Sequence, residues 1–174
     1  MFFKKFITQF KSENRCKNEV IQLVSAILYP QRILIETHDD IGSGVGLVTD
    51  KITFVELSAS DSDLGKLIKE HLNKTQKIDF FKISPDYNRD VKPRLDNYKK
   101  ATGLKTIKAQ MKDSLEVSIR RINDTFRIIP SINGGSSGTE RGYSTIKDEI
   151  IECDFSINDE DLGKLIRIAW TKCK

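Results

Sequence analysis

The hexapeptide Asp-Leu-Gly-Lys-Leu-Ile occurs twice, at residues 63–68 and 161–166, 98 positions apart. Each copy follows a run rich in β-branched residues, so each unit reads strand, turn, helix. Ser60 and Asn158 are placed to accept hydrogen bonds from orphan N–H groups at the helix starts. Asp63 and Asp161 follow three residues later, where an acid closes a capping box and suits the positive end of the helix dipole. Leu64, Leu67, Ile68 and Leu72 form one apolar face; Leu162, Leu165, Ile166, Ala169 and Trp170 form its counterpart, with Lys66 and Lys164 turned to solvent. Gly65 and Gly163 stand inside these helices, where glycine costs about 1 kcal/mol against alanine. Close approach to a sheet strand is the expected compensation. Phosphate binding at the helix starts is the rival, and Asp61, Asp63, Asp159, Glu160 and Asp161 would repel it. Two copies are too few for a solenoid.

The rest of the chain fills in around these units. Apolar spacing at Cys16, Val20, Leu23, Val24 and Ile27 predicts a helix ended by Pro30. Arg32–His38 predicts a buried strand. Gly46–Thr49 and Ile52–Leu57 read as two strands joined by an Asp50-Lys51 turn. Ile78–Ile83 reads as a short strand, and Asp86–Lys100 as a helix with Pro93 near its start and Gly103 at its end. Thr106–Met111, Leu115–Ile122 and Thr125–Ile132 alternate as strands, with short connections at Lys112-Asp113 and Asn123-Asp124. Residues 133–142 form a glycine-rich loop, and Ser144–Phe155 returns as a strand. These elements predict an α+β domain over residues 1–174, mainly an antiparallel sheet with helices packed on one face and two strand-turn-helix repeats. Residues 1–14 are expected to be loosely attached.

Several function classes lose their support at once. No run of about 18 apolar residues exists, so no membrane-spanning helix is expected. Met1–Ile7 begins like a signal peptide, but Lys11, Glu13 and Arg15 interrupt it, which points to the cytoplasm. Cys16, Cys153 and Cys173 have no paired spacing and read as small apolar residues in a reducing compartment. With two histidines besides, neither a metal site nor a cofactor is expected. Gly42-Ser-Gly-Val-Gly46 lacks phosphate-loop spacing and reads as a bulge. His38-Asp39-Asp40 has no accompanying nucleophile motif, so no catalytic residue is assigned and the protein is not read as an enzyme.

Charge leaves a second possibility open. Residues 61–129 carry 16 basic and 10 acidic groups, a net of +6 within a chain of net +4. A nucleic-acid-binding module would use Lys92, Arg94, Lys99, Lys100, Lys105, Lys108, Arg120 and Arg121, with Tyr87, Tyr98 and Phe126 for stacking. Ordinary packing with a charged outer face accounts for the same residues.

The motif residues also resemble a known family. Leu57-Ser58 leading to Asp63-Leu-Gly-Lys66, the same phrase at Phe155-Ser156 and Asp161-Leu-Gly-Lys164, and a closing helix near Cys173 are similar to immunity proteins of bacterial contact-dependent growth inhibition (CDI) systems. The stretch Tyr98–Thr106, the strand Leu115–Ile122 and Ile129-Pro130 before the glycine loop share the likeness, which covers roughly residues 30–174. The resemblance implies a protein that binds the cognate C-terminal toxin domain of a CDI surface protein, often a nuclease, and covers its active site in the cytosol. It implies no membrane partner, no direct nucleic-acid contact and no chemistry of its own. Immunity proteins against basic nucleases are often acidic, and this chain departs from that by its positive charge. Partner contacts are expected at Glu36, Asp39 and Asp40, acids suited to a cationic active site, and at Thr139, Glu140 and Arg141 in the adaptable loop.

Overall fold

The computed structural model describes residues 21–42, 46–78 and 86–174. Its strands are β1 (Ile21–Leu28), β2 (Ile33–Asp40), β3 (Gly46–Val55), β4 (Leu115–Ile122), β5 (Thr125–Asn133), β6 (Tyr143–Thr145) and β7 (Ile151–Asp154). Its α-helices are α1 (Asp61–Leu72), α2 (Lys92–Thr102), α3 (Ile107–Met111) and α4 (Asp159–Lys172). The seven strands form one sheet in the order β3-β2-β1-β4-β5-β6, with β7 pairing the first half of β5. Every pairing between these strands is antiparallel. The expected α+β class therefore holds.

The central strand β1 replaces the helix expected over Cys16–Leu28; residues 16–20 lie outside the described residues. Val24 and Ala26 face one core, while Ile27 faces a second cluster with Tyr29 and Leu34. A strand covered on both faces shows a near-continuous apolar run, which helical spacing imitates. The same two clusters correct the expectation that helices cover one face. Helices α1 and α4 pack on the Val24 side, and α2 and α3 flank the other.

Three further expectations change. Residues 46–55 are one strand, not a hairpin: the register against β2 shifts between Glu36 and His38, and the resulting bulge absorbs Asp50 and Lys51. Residues 107–111 are a helical turn, because Thr106 caps it by accepting from the Ala109 N–H at 3.1 Å. Residues 144–155 break into β6, a 3-10 turn at Lys147–Glu149 and β7. Of the predicted strand 78–83 only Ile78 is described, its N–H donating to Asp40 O at 2.7 Å beside a parallel bridge of Lys77 to Asp40; 79–85 fall outside the described residues, as do 43–45 of the glycine bulge and the segment 1–14. The α2 helix follows a π turn at Tyr87–Val91 and ends at Gly103, whose φ of 72° is left-handed.

The repeated hexapeptides meet each other. A Cβ on Gly65 would lie 1.9 Å from the Asp159 carbonyl oxygen, and one on Gly163 would lie 2.0 Å from the Asp61 carbonyl oxygen. The glycines thus serve a helix–helix crossing, not the helix–strand contact expected, and each admits the other helix's first residue. The surrounding bonds repeat the exchange. Lys69 Nζ donates to Ile157 O at 2.5 Å and pairs with Asp159 at 2.8 Å. Arg167, 98 residues later, donates to Ala59 O at 2.5 Å and to Asp61 at 2.6 Å. Ser60 and Asn158 cap the Asp63 and Asp161 N–H groups as expected. The capping acids bond the cap side chains in return, at 2.6 and 2.8 Å, rather than the backbone. Trp170 Nε1 donates to Ala26 O at 3.1 Å, tying α4 to the central strand.

Candidate functional site

Strand alternation puts Ser25, Glu36, His38 and Glu116 on the sheet face turned away from α1 and α4. They line a cavity of about 350 Å³, together with Tyr29, Tyr98 and Tyr143. Helices α2 and α3 wall it with Leu95, Lys99, Ile107 and Met111, and the glycine loop adds Arg141 and Gly142. Glu36 is 5% exposed, an acid in the middle of the buried strand β2. Tyr98 Oη donates to Glu36 Oε1 at 2.5 Å. The Ser25 hydroxyl donates to Glu116 Oε1 at 2.7 Å and lies 3.1 Å from His38 Nε2.

Burial controls the protonation of these groups. It pushes the Glu36 carboxyl up to about 7, partly opposed by the Tyr98 hydrogen bond and reinforced by nearby Glu116. Burial raises Glu116 as well, against the Ser25 bond. It holds His38 down at about 4, so the imidazole is neutral at pH 7. Glu36 Oε2 and His38 Nε2 are 3.7 Å apart, and with these protonation states they do not form an ion pair at neutral pH. Burial likewise raises the hydroxyls of Tyr29, Tyr98 and Tyr143, which stay protonated donors.

The cluster does not have the geometry of a nucleophilic triad. A catalytic histidine presents one nitrogen to the serine and the other to the orienting acid. Here Ser25 and Glu36 both approach Nε2, and the serine proton is committed to Glu116. What the arrangement offers is a recess with aliphatic walls, phenolic donors and two acids, Glu36 buried and Glu116 partly buried.

The structure separates the six predicted contact residues. Glu36 lies in the cavity, Arg141 lines it, and Thr139 and Glu140 are exposed on the adjoining loop. Asp39 and Asp40 lie in β2 and not at a turn, each 2% exposed. Asp39 accepts from Arg94 at 2.8 Å, from Lys51 at 3.3 Å and from the Gln76 N–H at 3.1 Å, bracing α2 and the 74–76 segment to the sheet. Asp40 accepts from the Gly42 N–H at 3.0 Å. In these positions both acids make hydrogen bonds within the fold. Ser25, Glu116 and Tyr143 are not among the predicted site residues, and Tyr98 is predicted only as a stacking ring; their places in the sheet and helix gather them.

The nucleic-acid reading fares differently. Lys92 pairs with Asp96 at 3.0 Å, and Arg94 with Asp39. Arg121 stacks 3.6 Å over the Phe155 ring. Phe126 is fully buried and Tyr98 is 6% exposed, so neither offers a ring to a base. His71 is a core group, held between the Thr37 and Thr53 hydroxyls at 3.0 and 2.9 Å, with its pKa lowered to about 4 by burial. Cys153 and Cys173 are half-buried free thiols, and Cys16 lies outside the described residues. Among the described residues no helix is long and apolar enough to cross a membrane.

Comparison with known proteins adds the family. The fold is similar to that of a Neisseria meningitidis protein of unknown function, with a TM-score of 0.71 at 15% identity, covering 92% of this chain and 99% of that one. It is also similar to a chain of the CdiA-CT/CdiI toxin and immunity complex from Yersinia pseudotuberculosis, with a TM-score of 0.68 at 16% identity, covering 89% and 98%. At such identities the likeness is one of fold. No curated protein matches. The family model described as CDI immunity protein matches residues 22–173, and the chain belongs to that family.

Proposed function

We propose that this protein is a non-enzymatic immunity protein. It binds the C-terminal toxin domain of a CDI surface protein in the bacterial cytosol and neutralises it by covering the active site. The observation that carries the reading is the family match over residues 22–173. The Yersinia neighbour, described as a toxin and immunity complex, supports a protein partner of this kind. We take the toxin to be a nuclease, as the family resemblance implies. The contact surface is the face holding Glu36 and the loop residues Thr139, Glu140 and Arg141, because the cavity between sheet and helices opens there.

Co-expression tests this directly. The toxin domain encoded immediately upstream should arrest growth alone and be tolerated when this chain is present, and the two should co-purify. Arrest that persists with no complex would reject the reading. Binding of labelled RNA or DNA at low salt, weakening steeply as salt rises, would favour the nucleic-acid alternative instead.

A further inference from the structure

From the cavity geometry we infer that the recess around Glu36 is a socket for one cationic side chain, lysine or arginine, of the partner protein. This rests on the immunity reading above and specifies how the partner is held.

The first observation is an unfilled acceptor. The Glu36 side chain is 6% exposed. Its Oε1 is satisfied by Tyr98, but among the described residues Oε2 makes no hydrogen bond, with His38 Nε2 beyond reach at 3.7 Å. That oxygen is not sealed from solvent; it opens into the cavity, where a donor can reach it. The second observation is the shape and composition of that cavity. About 350 Å³ is near the lower end of ligand pockets, which run about 300–1,000 Å³, and suits one long side chain. Ile27, Val48 and Leu95 supply aliphatic wall for a methylene stem. Glu116 and three tyrosines supply charge and ring faces for a cationic head.

The positive groups nearby narrow the choice of occupant. Arg141 is exposed and Lys99 half-buried, so both sit nearer the mouth than Glu36, and Arg120 acts on His38 and Glu116 from β4. Their repulsion opposes a free inorganic cation. A side chain anchored in a protein interface overcomes it, because the rest of the interface holds the cation in place.

A titratable carboxyl near neutrality gives the socket a signature. A cation seated on Glu36 holds it ionised, so binding expels a proton near pH 7 and tightens as pH rises from 6 to 8. Neutral His38 and the protonated tyrosines stay unchanged over that range. The experiment is calorimetric titration of the toxin domain into wild type and Glu36→Gln, in buffers of different ionisation enthalpy. We expect the variant to bind at least fivefold more weakly and to lose the proton release, with an unchanged or higher melting temperature. A purely structural Glu36 would lower the melting temperature instead. A loss below fivefold, or proton release equal to wild type, overturns the socket while leaving neutralisation standing. Should Glu36→Gln not fold, Glu116→Gln carries the same affinity criterion. Failure of wild type to bind the toxin domain refutes the immunity reading, and the socket with it.

Discussion

The two faces of the sheet are built by opposite rules. On the α1/α4 face, Val24, Ala26, Ile33, Ile35, Val117 and Ile119 meet two helices that interlock through reciprocal glycines, and the Trp170 indole N–H donates to the Ala26 carbonyl. On the other face the same three strands present Ser25, Glu36, His38 and Glu116, and a cavity stays open between sheet and helices. The first arrangement buries apolar area. The second holds carboxylates where burial raises their pKa, at a cost to stability that packing alone does not explain. Stability and function are therefore expected to separate by face.

The largest test strikes the helix face. Gly163→Ala or Gly65→Ala places a methyl within about 2 Å of a carbonyl oxygen that belongs to helix backbone. Overpacking of this kind should remove about 3 kcal/mol, well beyond the gain in helix propensity, as read by urea denaturation. The partner affinity of the protein that stays folded should be unaffected.

Next comes a change of opposite sign on the cavity face. The Glu36 pKa of about 7 exceeds the ordinary 4.5, so the fold favours the protonated acid. That contribution is complete below about pH 4.5 and lost as pH rises through 7. Glu36→Gln should therefore gain on wild type as pH rises from about 4.5 to 7, and be more stable by roughly 1–2 kcal/mol at pH 8. His38 and His71, both lowered to about 4, act in the other direction: their contribution is full above 6.5 and lost as pH falls toward 4. The acid limb should therefore persist in the variant, while its advantage over wild type grows from about pH 4.5 to 7 in thermal melts across pH.

Two smaller changes sharpen the helix-face account. Trp170→Phe keeps most of the packing but removes the indole bond to the Ala26 carbonyl, for a loss of about 1 kcal/mol in denaturant titration. Ser60→Ala removes a cap from the Asp63 N–H and should cost about 1 kcal/mol or less, because the site is exposed.

Particular residues explain what was legible in the sequence. The β4–β5 hairpin and both repeat helices were readable because each has a one-sided pattern and its own turn or cap signals. Strand β1 was not, since burial on both faces erases the alternation that identifies a strand. The glycine pair announced a close approach, but nothing local names a partner 94 residues away, as Asp159 is from Gly65. In the site, Glu36 and His38 share a face by their spacing of two. Ser25 and Glu116, 91 residues apart, meet only through the β1–β4 register, and the sequence around Tyr98 reads as a stacking or packing ring with nothing to point it at Glu36. Long-range pairing created the site, so no window of sequence contained it.

Hydrogen exchange with and without the toxin domain tests the division of labour between the faces most directly. New protection is predicted in α2, α3 and residues 133–145 around the cavity mouth, with α1 and α4 unchanged. Protection confined to α1 and α4, with the cavity face exchanging as in the free protein, would contradict the account.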